Sequence, residues 1–168
     1  MRVDNVHSRV FPADSLEQMG ALIDGLAGDD DRFWPRQNWP AMRFDRPLAV
    51  GASGGHGPIR YDVAEYQPRR RVRFAFTKPA GLHGYHEWAA RLVAGGCELR
   101  HRLVADTTGW PVLSWPLIWR PMHDALIEDA LDNAAAHVGA DGRPARWSGY
   151  VRALRRVAGL LGISRGSS

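Results

Sequence analysis

The stretch Tyr85-His-Glu-Trp-Ala-Ala-Arg-Leu-Val-Ala-Gly-Gly-Cys-Glu-Leu-Arg-His-Arg-Leu-Val-Ala105 decides the fold. Two runs of alternating apolar and polar residues flank Ala94-Gly95-Gly96, the pattern of an antiparallel hairpin closed by a tight glycine turn. With Gly95-Gly96 as a two-residue turn, Leu92 faces Leu99, Ala90 faces His101 and Trp88 faces Leu103, with His86 near Ala105. A slip of one residue would set Arg91 against Leu99 and mix the two faces, so that register is rejected. One face of the hairpin is therefore apolar except for two histidines, His86 and His101.

Working toward the N-terminus, Val72-Arg-Phe-Ala-Phe-Thr77 alternates with Val72, Phe74 and Phe76 inward. Before the turn Gln67-Pro-Arg-Arg70, Ile59 to Tyr66 places Ile59, Tyr61 and Val63 on one face. Leu48-Ala-Val50 reads as a further short strand, and successive strands joined by turns make an antiparallel meander. The glycine-rich Gly51 to Gly57 lacks the Gly-Lys-Ser/Thr ending of a phosphate loop and runs into Pro58 and a strand, so it reads as a turn between strands. Arg2 to Phe11 is a strand with Val6 and Val10 on one side. Asp14 and Glu17 stand at capping-box spacing before a short helix whose apolar face is Leu16, Met19, Ile23 and Leu26. Gly28 and Asp29-Asp-Asp31 stop that helix. Two Trp-Pro pairs, at 34–35 and 39–40, make an extended connector.

Working toward the C-terminus, Pro111, Pro116 and Pro121 recur every five residues, which predicts short turns or a kinked lead-in. From Pro121 a helix carries the stripe Leu126, Ile127, Ala130, Leu131, Ala134 and Val138, opposite Asp124, Glu128, Asp129 and Asp132. Gly139 is its stop. A linker follows, then a basic amphipathic segment over 146–163, with Trp147, Val151, Leu154, Ala158 and Leu161 on one side. Arg146, Arg152, Arg155 and Arg156 stand on or beside the other.

The chain has 168 residues, 45% apolar and 24% charged, the size and composition of one folded domain. Its formal charge of +4 is a property of the end of the chain. Six arginines follow Asp141; without them 16 basic residues stand against 18 acidic ones, so residues 1–142 carry −2. That argues against nucleic acid as a partner of the main body. Cys97 is a lone cysteine, which excludes an internal disulfide and fits a reducing compartment. Residues 1–5 open no apolar run of signal-peptide length, and no stretch approaches the ~20 apolar residues of a membrane span. A soluble, cytoplasmic protein is expected.

The order strand, short helix, five further strands and long C-terminal helix resembles the START-like superfamily, also called the SRPBCC group, which includes pollen-allergen and polyketide-cyclase relatives. The segments Arg43-Phe-Asp-Arg-Pro-Leu48, Gly55-His-Gly-Pro-Ile-Arg-Tyr61 and Trp115-Pro-Leu-Ile-Trp-Arg-Pro-Met-His-Asp-Ala-Leu126 are similar to stretches in bacterial members of unassigned function. The resemblance covers residues 1–139. It implies an α+β helix-grip fold, a curved antiparallel sheet of about six or seven strands wrapped on the long helix, with a short helix after the first strand. Residues 140–168 are then a linker and a basic helix with a flexible end. The resemblance further implies a cavity between sheet and helix for a lipid, a polyketide or a similar apolar compound. The superfamily has no universal catalytic signature, so it assigns no catalytic residue here.

Within such a cavity the expected lining is Tyr61, Phe74, Phe76, His86, Trp88, His101 and Leu103. His86 and His101 are the candidates for chemistry, since a neutral imidazole can serve as acid, base or polar anchor. A core histidine satisfied by its neighbour is the plainer reading of each. His123, Asp124 and Glu128 form the densest metal-like cluster, but no His-Glu-x-x-His or paired-cysteine spacing occurs, so no metal and no cofactor are expected. No serine stands in a nucleophile elbow. Cys97 reads as a small hydrophobe. Trp34, Trp39, Trp110, Trp115 and Trp119 cap the core in one reading and form a stacking platform at the cup's mouth in the other.

The favoured function is binding or carrying a small hydrophobic or amphipathic metabolite. One alternative is a cyclase or dehydratase using a cavity histidine as general base, and another is an interaction protein acting through its basic C-terminal helix. For that helix, docking on the domain itself or on a second copy, as a homodimer, is preferred over peripheral contact with an anionic membrane.

Overall fold

The computed structural model describes residues 1–140 and 144–160. Seven antiparallel strands form one open sheet in the order β1-β7-β6-β5-β4-β3-β2. They are β1 (Arg2–Phe11), β2 (Arg43–Phe44), β3 (Ser53–His56), β4 (Ile59–Gln67), β5 (Arg71–Lys78), β6 (Leu82–Val93) and β7 (Gly96–Thr107). Helix α1 (Leu16–Asp24) follows β1. Helical backbone runs from Trp110 to His137 as α2 (Trp110–Ser114), a π-helical turn (Trp115–Trp119) and α3 (Arg120–His137), and α4 spans Gly149–Leu160. The sheet curls around α3, giving the expected helix-grip arrangement. Bulges in the β4–β5 pairing, at Arg60/Tyr61 and Val63/Glu65, contribute to the curl.

The deciding hairpin forms, with its register two residues from the expected one. Trp88 pairs with His101, Ala90 with Leu99, Leu92 with Cys97 and His86 with Leu103. The turn is Ala94-Gly95, with Gly95 at φ +92°. Gly96 is instead the first residue of β7, where a Cβ would lie 2.2 Å from the Phe11 carbonyl of the neighbouring strand. Two glycines thus serve two needs, a turn and a close approach. Because a two-residue shift preserves side-chain alternation, the inward face survives the change.

Two other expectations are corrected. Leu48 to Val50 is not a strand; the glycine-rich segment supplies β3 itself, and the turn falls at Gly57-Pro58. Gly54 is required there by contact, since a Cβ on it would meet the Arg43 carbonyl at 2.0 Å. The capping box does not form, because a short 3-10 turn at Ala13–Ser15 leads into α1 without a side-chain cap. Val6 and Val10 do share one side of β1, the solvent side, while Val3, Asn5, His7, Arg9 and Phe11 face inward. Polar residues can face inward here because α3 offers this strand carboxylates rather than leucines.

The proline-spaced lead-in is helical throughout. Proline removes an N–H from the ladder, and the widened π-helical turn accommodates this interruption. Pro121 can give no hydrogen bond to the carbonyl of Leu117, four residues earlier, and the Tyr150 hydroxyl of α4 donates to that oxygen at 2.6 Å. On α3 the expected stripe packs inward, with Leu126, Ile127, Ala130, Leu131 and Ala134 buried in the main core beside Trp88, Tyr61 and Phe74. The Trp-Pro connector is pinned over this core. Asp31 accepts hydrogen bonds from the backbone N–H groups of Phe33 and Trp34, both at 2.9 Å, and Asn133 of α3 donates to the Phe33 carbonyl. Among the described residues no helix is long and apolar enough to cross a membrane.

Candidate functional site

Between the concave face of the sheet and the long helix lies a cavity of about 140 Å³. Its sheet wall is Phe76, Leu82, His86, His101 and Leu103. Its helix wall is Trp115, Trp119, Met122, Leu126 and Ile127, and Trp34, Trp39, His56, Arg155 and Ala158 stand toward the connector and α4. The volume is close to that of an engineered cavity of ~150 Å³ that holds benzene. Among the described residues, four imidazoles, Asn38 and Arg155 stand in a wall otherwise made of apolar and aromatic side chains.

The imidazoles of His56, His86, His101 and His123 form the polar side of this space. His86 Nδ1 and His101 Nε2 share a hydrogen bond at 3.3 Å. His101 and His123 have ring centroids 5.0 Å apart, and Tyr61 meets the His86 ring edge-on at 4.8 Å. Burial dominates their protonation. Desolvation, helped by neighbouring histidines, holds His86 and His101 well below the usual imidazole range, and it pushes His56 down to about 3. His123 is lowered by desolvation, against the opposing pull of the Asp124 carboxylate, 3.7 Å from its Nδ1. The rings are thus neutral at pH 7, each offering one donor and one acceptor. His86 Nε2, His101 Nδ1, both nitrogens of His123 and, in the layer behind them, the Tyr61 hydroxyl have no hydrogen-bond partner among the described residues. Leaving such buried groups unpaired costs about 1–3 kcal/mol apiece.

Behind His123, the inward face of β1 meets the acidic face of α3. Asn5 donates to Asp124 at 2.9 Å, His7 engages Glu128 at 2.7 Å and Asp124 at 3.0 Å, and Arg9 donates to Asp132 at 2.7 Å and Glu128 at 3.2 Å. Desolvation works to lower the His7 pKa, but hydrogen bonds to Asp124 and Glu128 outweigh it and the net shift is upward. Ligand atoms of His7, His123 and Asp124 lie within 4.8 Å of one another, a grouping that could take a divalent cation. Protonated His7 bridging two carboxylates also satisfies these groups as an ion-pair network.

A second polar assembly stands at the α4 side. Asp129 of α3 accepts hydrogen bonds from the indole N–H of Trp39 at 2.8 Å and of Trp147 at 3.0 Å. The two rings, 5.8 Å apart, hold the guanidinium of Arg155 at 4.3 and 4.2 Å from their centroids. Arg155 was expected on the solvent side of the basic helix. It turns inward instead because two indole faces attract the cation more than an exposed position would. With it, the expected stripe of α4 docks on the domain through Trp147 and Val151; Leu161 lies outside the described residues.

Of the residues anticipated for the lining, Phe76, His86, His101 and Leu103 reach the cavity wall. Tyr61, Phe74 and Trp88 are fully buried in the layer behind it, where Tyr61 and Phe74 pack on His86 and Trp88 packs on His101. Trp34, Trp39 and Trp115 are buried and also line the cavity, whereas Trp110 is 69% exposed. His56 was missed because its glycine-rich surroundings look like a loop. His123 leans toward the apolar stripe of its helix in the sequence but counts there only as part of a weak metal-like cluster, and Arg155 stands on or beside a polar face until the pairing of elements turns it inward. Cys97 is buried at the start of β7.

No family model matches the chain, and no curated protein matches it by sequence. Solved structures do share its fold. The crystal structure of CalU16 from Micromonospora echinospora is similar with a TM-score of 0.54 at 12% identity, over 98% of this chain and 89% of that one. A protein from Nitrosospira multiformis is similar with a TM-score of 0.57 at 11% identity, over 90% of this chain and 99% of its own. DynU16, a protein of the dynemicin biosynthetic locus, is similar with a TM-score of 0.50 at 16% identity, over 87% of this chain and 49% of that one.

Proposed function

We propose that this chain is a START-like helix-grip protein that binds or carries a small hydrophobic or amphipathic metabolite between its sheet and its long helix. The observation that carries the proposal is an apolar cavity edged by neutral imidazoles whose nitrogens lack partners. An apolar wall supplies affinity through burial, and a few polar groups fix orientation. The association of DynU16 with a biosynthetic locus supports a polyketide-like or similar secondary metabolite as the occupant.

A cyclase or dehydratase reading has one observation in its favour, the hydrogen-bonded His86–His101 pair on the cavity wall. The electrostatics weigh against it. An effective general base has a pKa near the working pH, and burial drives both of these well below it. Binding without turnover is therefore the preferred reading.

The test is calorimetric titration with para-propylbenzyl alcohol, a neutral probe of one ring and a short tail. Saturable binding of one molecule per chain, weakened by Leu103→Phe in the cavity wall, is expected. Absence of saturable heat with wild-type protein would sink the proposal.

A further inference from the structure

The cavity wall carries two kinds of polar group, neutral imidazoles and the cation of Arg155, on an otherwise mostly apolar surface. We infer that Arg155, clamped between Trp39 and Trp147, is an anion subsite, and that the ligand is an amphipathic monocarboxylate whose apolar body fills the cavity. This inference rests on the binding role proposed above and names the class of molecule bound.

The clamp is built rather than incidental. The two rings stand at 67° to each other, so the Arg155 guanidinium sits in the corner they form, its central carbon 4.3 and 4.2 Å from their centroids, and a guanidinium presents its N–H groups along the edges of its own plane. Those edges are what a carboxylate recognises, through paired charge-assisted hydrogen bonds. Both rings are themselves fixed, because each indole N–H is held by Asp129. Asp129 is buried, and its oxygens already accept these two donors. Among the described residues Arg155 has no salt bridge within 4.0 Å and no side-chain hydrogen bond, while Asp129 is taken up by the two indoles and by the Asn38 amide, which donates to it at 3.5 Å. Burial lowers the Arg155 pKa, with Asp129 opposing, yet a guanidinium stays charged at neutral pH. A partly desolvated cation held against two fixed rings, with no counter-ion in contact among the described residues, is a preorganised receptor for an anion.

The size and the imidazoles narrow the class further. About 140 Å³ suits one ring or a short branched chain rather than a long acyl tail. The neutral imidazoles of His86, His101 and His123 stand in the cavity wall. They would reject a second charge, because the burial that keeps these rings neutral also opposes an ion beside them.

The experiment compares para-propylbenzoate with para-propylbenzyl alcohol by calorimetry, on wild-type protein, Arg155→Gln and Arg155→Lys. On wild type the acid should bind roughly 10- to 100-fold more tightly than the alcohol, the range of a hydrogen-bonded charge. Arg155→Gln should bring the acid down to the alcohol's affinity, and Arg155→Lys should restore part of the difference. Equal binding of acid and alcohol to wild type, or a loss in Arg155→Gln that strikes both equally, would overturn the anion subsite while leaving the cavity reading intact. Failure of both probes to bind wild type would overturn the two together. Thermal melts of both variants show whether the helix stays docked; a loss of acid preference without a loss of melting temperature supports ligand recognition over packing.

Discussion

Replacing His101 by leucine should make the protein less sensitive to acid, an effect whose sign and size follow from burial. In the unfolded chain histidine takes up a proton near pH 6.5. In the fold, desolvation first, and the neighbouring His123 and His86 second, hold His101 well below that value. Below pH 6.5 the unfolded state therefore binds the extra proton and folding stability falls; above pH 6.5 the contribution is fully present. The loss grows until the pH drops through the folded-state pKa. At pH 5.5 each histidine kept neutral costs about 1.4 kcal/mol, so His86 and His101 together cost about 3 kcal/mol relative to pH 7.5. At pH 7.5 the His101→Leu change itself should be mild, under about 1.5 kcal/mol, since it exchanges one neutral hydrogen bond for apolar contact beside Leu99 and Leu103. Urea unfolding of both proteins at the two pH values separates these effects. The variant should lose about 1.4 kcal/mol less than wild type on acidification. Equal losses in both would refute the claim that His101 is buried and neutral, and a collapse of stability at pH 7.5 would make it a structural hub instead.

The β1–α3 network has the opposite sign: a raised His7 pKa means its contribution is full below pH 6.5 and is lost as pH rises through the folded value. Glu128→Gln should lower the His7 pKa seen by NMR titration of the imidazole, and an unmoved value would show that Glu128 does not hold the proton there. Gly54→Ala drives a Cβ to 2.0 Å from the Arg43 carbonyl and should cost about 3 kcal/mol or more. Gly95→Ala, which meets nothing within 4 Å but must hold φ +92°, should cost about 1–2 kcal/mol. Thermal melts rank the two, and the reverse order would contradict the tight β2–β3 contact. Asp129→Leu strands two indole N–H groups and should cost about 2–4 kcal/mol. It should also speed protease cleavage ahead of α4, and unchanged cleavage would mean that α4 is held by other contacts.

Much of the fold is legible because the apolar pattern repeats at the period of its elements. Val72 and Phe74 on β5, the hairpin carrying Trp88 and Leu103, and the stripe of α3 all pack as their spacing predicts. Alternation cannot count residues in a turn, however, so the register of β6 and β7 was open to a shift of two. Only the approach of Phe11, a residue some 85 positions away, assigns Gly96 to the strand. The polar contacts were hidden for the same reason. Asp124, Glu128 and Asp132 look like a solvated face until β1 brings His7 and Arg9 against them. Arg155 looks like one more surface charge until two tryptophans, separated by more than a hundred residues, close around it. His86 and His101 were identifiable because they interrupt an apolar face; His56 and His123 interrupt nothing in their own segments.

The most direct test of the cavity is where a bound probe sits. With para-propylbenzyl alcohol added to labelled protein, nuclear Overhauser contacts should run from the probe's ring and tail to Leu103, Leu126 and Ile127, inside the wall. Contacts confined to exposed apolar side chains, such as Trp110, Leu113 and Leu160, would contradict an internal binding site.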